Sequence, residues 1–156
     1  MIAEPRLEVA RELAALVRLD LIDSAHIVTW ASEQLGSGTA SPELIALAGM
    51  SVVADTQAVS DSLDRYLDSA GCSVATDEEA GLIVAKRVAQ EIVDGSVEPG
   101  PGARSIWWDV ARRVPNLEEQ LRPFIGLASE WEDSQDFRSE YEEDIREASR
   151  KLIYES

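Results

Sequence analysis

Phe137, Tyr141, Ile145, Ala148 and Leu152 follow one another at intervals of four, four, three and four residues. An α-helix turns once in about 3.6 residues, so this spacing gathers all five on one face, whereas a strand would divide them between two. The same period recurs almost throughout the chain, and the two-residue period of a strand almost nowhere. Ala10, Leu13, Ala14, Val17 and Leu21 share a face of a first helix starting near Pro5, and Ile27, Val28, Ala31 and Leu35 one of a second over 24–35. Val59, Leu63, Tyr66, Leu67 and Ala70 mark a helix over 55–70. Ala103, Ile106, Trp107, Val110, Ala111 and Val114 form the most regular apolar stripe, which places Trp107 in the core. Leu121, Phe124, Ile125, Ala128 and Trp131 carry the next helix. The spacing predicts an all-α chain.

Helix ends are marked as well as helix faces. Ser41-Pro42-Glu43-Leu44 supplies an N-cap hydroxyl, a proline at the first helical position and an acidic first turn, for a short helix ending near Gly49. Thr76 followed by Glu79 has the form of a capping box, opening a helix that runs to Asp94. Gly36, Gly71 and Gly95 read as stops, and Gly36-Ser37-Gly38-Thr39-Ala40 as the clearest flexible loop of the first half. Glu98-Pro99-Gly100-Pro101-Gly102 is expected to form a turn, not helical in its middle. Asn116 with Glu119 is expected to cap the helix after Pro115, and Pro123 to kink or restart it. About eight helices with short connections imply a single compact bundle or helical array. One domain, 1–156, is expected, with 5–35 as an N-terminal helical hairpin packed on the rest, since ~35 residues hold no core alone.

Composition narrows the chemistry. Thirty acidic side chains against fourteen basic give a formal charge of -16, a field that repels phosphate backbones, so no nucleic-acid partner is expected. Cys72 is the single cysteine, which excludes an internal disulfide and a Cys-based zinc site and fits a reducing cytoplasm. No Lys, Arg or His adjoins it in sequence, so it reads as an ordinary thiol. His26 is the single histidine and reads as a structural or surface residue near a helix start. Glu4 and Glu8 argue against a signal peptide, and the longest nearly uncharged stretch, 44–54, falls far short of the ~20 residues of a membrane span. A soluble cytoplasmic chain without a membrane partner is the expectation. The 98–102 segment lacks the lysine and preceding strand of a P-loop. No cofactor and no metal are expected.

Two phrases carry a resemblance. Gly102-Ala103-Arg104-Ser105-Ile106-Trp107-Trp108, and Leu121-Arg122-Pro123-Phe124-Ile125-Gly126-Leu127-Ala128-Ser129-Glu130-Trp131-Glu132-Asp133, resemble a family of small all-helical bacterial proteins of unknown function. The likeness spans roughly the second half of the chain, and more loosely 26–50. It implies a helical fold and no particular chemistry.

Carboxylates are the abundant functional group. Glu130, Glu132, Asp133 and Asp136 crowd the end of one helix, and Glu140, Glu142, Glu143, Asp144 and Glu147 line the next. The spacing Glu140-x-x-Glu143-Asp144 is similar to that of metal-binding helices in all-α nucleotide pyrophosphohydrolases, where carboxylates hold Mg²⁺ beside substrate phosphates. That chemistry needs a second acidic helix opposite, for which Asp61 with Asp64 is a poor candidate. Glu142 with Arg146 and Glu147 with Lys151 are i,i+4 pairs of a solvated face. Trp108 lies about 100° around the helix from Trp107, nearer Arg104 and Arg112, and an outward tryptophan beside arginine has the composition of a binding hot spot. Trp30 poses the same question.

The leading reading is a non-enzymatic acidic binding protein, of the immunity or inhibitor type, for a basic protein partner. Its binding residues would be Trp108, Glu130, Glu132, Asp133, Glu140, Glu143 and Asp144. The alternatives are a metal-dependent nucleotide phosphohydrolase using Glu140, Glu143 and Asp144, and a structural homo-oligomer or scaffold pairing apolar helix faces.

Overall fold

Apolar stripes on helices must find cover, and this chain provides it within two units, Met1–Ala80 and Gly81–Ser156. The computed structural model describes residues 5–38, 41–51 and 55–155. Among these are eight α-helices and no strand, so the chain is all-α. The helices are α1 (Pro5–Arg18), α2 (Ala25–Gly36), α3 (Pro42–Ala48), α4 (Thr56–Ser69), α5 (Asp77–Asp94), α6 (Pro99–Ser105), α7 (Glu118–Asp133) and α8 (Arg138–Glu155). Among the described residues no helix is long and apolar enough to cross a membrane.

In the first unit α3 packs against α2 and α4, and α1 against α4. Ala10, Ala15, Ile27, Leu44, Leu47 and Leu63 are fully buried there. The Ser41 hydroxyl accepts the Leu44 N–H at 3.1 Å, as its sequence context requires. Thr76 accepts the Glu79 N–H at 3.1 Å, while the Glu79 carboxylate accepts from Ala75 at 3.4 Å, so the capping box closes one residue early.

Gly71 (φ 72) ends α4 as expected: Cys72 N–H donates to the Leu67 carbonyl at 2.9 Å and Gly71 N–H to Asp68 at 3.0 Å. Gly36 is not the left-handed residue after α2. That role falls to Gly38 (φ 92), and the rest of the expected loop, Thr39 and Ala40, lies outside the described residues. Asp20 makes the same closure after α1 without being glycine, at φ 60, with Leu21 N–H donating to Leu16 at 2.8 Å. A Cβ is disfavoured in that conformation. Asp20→Gly is therefore expected to raise stability by about 0.5–1 kcal/mol in urea unfolding; a loss would show that the aspartate side chain is needed there.

In the second unit α7 packs against α6, α8 and the segment after α6, and α6 also meets α8. The 98–102 segment is not a turn, because α6 begins at Pro99. Pro99 and Pro101 occupy the first and third helical positions, where amide hydrogens have no intrahelical acceptor, so neither proline removes a bond. Gly100 and Gly102 permit close approach. A Cβ at Gly100 would enter the Trp131 indole, and one at Gly102 would lie 2.6 Å from the Ile92 side chain.

After Ser105 the helix widens into a π-helical segment, Ile106–Ala111, with Arg112 N–H donating to the Trp107 carbonyl at 3.1 Å. The changed winding keeps Ile106, Val110 and Ala111 buried but leaves Trp107 half-buried, so Trp107 is not the core residue its spacing implied. A 3₁₀ turn, Pro115–Leu117, leads into α7, and Leu117 holds the N-cap position, one residue after the expected Asn116. The helix then runs through Pro123 without restarting. Phe137 sits on a short 3₁₀ turn before α8 and is 53% exposed, leaving Ile145 and Leu152 as that helix's buried anchors.

Candidate binding surfaces on the second unit

Side chains from α7 and α8 enclose a groove of about 440 Å³. Pro123, Phe124 and Leu127 from α7 and Ala148 and Leu152 from α8 give it an apolar floor. Its polar lining is Gln120, Asp144, Glu147, Lys151 and Glu155. Residues 144, 147, 148, 151, 152 and 155 recur at three- and four-residue steps, so one face of α8 carries both floor and rim. Three carboxylates against one ammonium leave that rim negative.

Of the acidic residues expected in a site, only Asp144 lines this groove. Glu143 faces arginines instead, Arg146 at 3.3 Å and Arg150 at 3.6 Å. Glu132 is bound by Arg104 at 3.1 Å. Glu130, Asp133 and Glu140 are exposed and stand apart from the groove lining. The α8 ion pairs run i,i+3, Glu143–Arg146 and Glu147–Arg150, instead of Glu142–Arg146 and Glu147–Lys151. Both spacings bring side chains together on a helix, and here Lys151 turns to the groove. Among the described residues no three His, Cys, Asp or Glu side chains gather in a metal-holding group, Glu140, Glu143 and Asp144 included.

The two units differ in charge balance. The second unit holds sixteen acidic and ten basic residues, the first fourteen acidic and only four basic. The carboxylates of the C-terminal third are interleaved with arginine, and on the groove rim Glu147 is paired with Arg150 at 3.3 Å. In the first unit burial pushes the Asp64 carboxyl up, Arg18 pulls it down, and Asp61 raises it further. A raised folded titration favours the fold only at low pH, so this carboxyl gives up stability as the pH rises through it.

Trp108 lies on the π-helical segment and is 42% exposed. The Arg112 guanidinium stands over its ring at 4.1 Å and that of Arg104 at 5.9 Å. Trp107 leans against it, ring centroids 5.5 Å apart at 45°. Trp30 is half-buried, edge-on to Tyr66 of α4 at 6.1 Å. His26 is exposed, its Nδ1 3.2 Å from the Asp23 carbonyl. Cys72 does have an arginine nearby: Arg11 of α1 donates to its carbonyl at 3.1 Å.

The chain matches no protein-family model, no curated protein and no solved structure.

Proposed function

We propose that this is a non-enzymatic binding protein whose α7–α8 groove receives a basic amphipathic helix of a partner protein. The observation that carries the reading is the coupling of an apolar floor to a carboxylate-rich rim along one face of α8. Residues 144–155 span ~16 Å of helix, about three turns, the footprint of a short helix laid in a groove. Apolar residues of that helix would cover Phe124, Leu127 and Leu152, while its lysines and arginines meet Asp144, Glu147 and Glu155. The overall charge of -16 would speed the encounter, and the apolar floor would slow release. Inhibitors and immunity proteins for cationic partners work with this division of labour.

Stopped-flow mixing with a lysine-rich amphipathic peptide tests the reading. Association should slow steeply as salt is raised, because steering between exposed charges is screened beyond about 10 Å at 0.1 M. An association rate that stays the same from low to high salt would defeat it.

A further inference from the structure

We infer that the Trp107–Trp108 patch is a second binding site, of opposite chemistry to the groove, which takes an acidic protein segment carrying an apolar residue beside its carboxylates. Two neighbouring indoles, one half-buried and one 42% exposed, form an apolar platform too large to be an isolated surface residue. Arginines surround it. Arg112 lies over Trp108 at 4.1 Å and, among the described residues, has no carboxylate partner. Arg113 donates to the Trp108 carbonyl at 3.3 Å and meets Asp109 only at 3.9 Å, and Arg104 shares Glu132.

A guanidinium held against an indole is already ordered and keeps N–H donors for a bidentate carboxylate, so less freedom is lost when one binds. Tryptophan and arginine are also the side chains that dominate binding energy at interfaces. The backbone adds a separate indication. The platform stands on the π-helical segment, a rare winding found frequently at functional sites. The same arginines repel a basic partner, which makes this surface unsuitable for the groove's ligand. The chain's negative charge acts at longer range and is screened beyond about 10 Å at 0.1 M salt, so the arginines in contact decide what docks.

The test follows the four indole N–H signals of the full chain by NMR, with Trp30→Phe, Trp107→Phe and Trp108→Phe each assigning one of them. The blocked hexapeptide EDLFDE should shift the Trp107 and Trp108 signals and leave that of Trp30 in place. Arg112→Ala should weaken this binding by about tenfold, the loss of one charge-assisted hydrogen bond. Arg112→Lys should weaken it similarly, since an ammonium neither stacks nor forks. Arg122→Ala, an exposed arginine of α7, should leave it unchanged. The proposal is overturned if the peptide moves neither signal at millimolar concentration, or if KKLFKK or inorganic phosphate reproduces the shifts. Full binding by Arg112→Lys would overturn it as well.

Discussion

Phe124→Ala is expected to cost about 3–5 kcal/mol, the usual loss on truncating a buried aromatic ring. Phe124 is only 2% exposed and sits on α7, the helix that packs against α6, α8 and the π-helical segment. Its removal leaves space on the buried face of α7, and close-packed interiors collapse into such voids only in part. Urea unfolding of the purified variant measures the cost. A loss below about 1 kcal/mol would mean that α7 is not the centre of the second unit.

Gly100→Ala should cost about 1–3 kcal/mol through overpacking, although alanine favours helix more than glycine does. The added methyl would enter the Trp131 indole. That ring has little room to retreat, because Arg138 stands over it at 4.1 Å and donates to the Trp131 carbonyl at 3.1 Å. Its Nε1 is buried and finds no hydrogen-bond partner among the described residues, so packing places this ring. The two sites should consequently be coupled. In a Trp131→Leu background, Gly100→Ala should cost at least about 1 kcal/mol less than in the native chain. Additive losses would separate α6 from Trp131 and remove the reason for a glycine at position 100.

Local features were legible in the sequence and tertiary ones were not. The periods of α4 and α8, the Ser41 cap and the Gly71 stop are each written within a few neighbouring residues, and each appears in the structure. Pro99 and Pro101 misled because a proline's effect depends on its helical position, and these two fall in a first turn. Trp107 misled because its stripe assumes a constant winding, which the π-helical segment breaks. Arg11 reaches Cys72 across 61 residues, a proximity no local reading contains. The groove escaped for the same reason: Gln120 to Leu127 and Asp144 to Glu155 become neighbours only when α7 meets α8. One sign of it was present, since Asp144, Glu147, Lys151 and Glu155 alternate with Ala148 and Leu152 on a single helix face.

Charge reversal separates a built groove from mere acidity. Asp144→Lys with Glu147→Lys alters two rim positions that are exposed, so folding should change by no more than ~0.5 kcal/mol per site. Glu130→Lys with Asp133→Lys changes net charge equally at exposed positions outside the groove. The decisive measurement is the affinity of both double variants for one lysine-rich amphipathic helix at physiological salt. The groove account predicts a loss of at least about tenfold for the 144/147 pair and a several-fold smaller one for the 130/133 pair. Equal losses, or none in either, would contradict it.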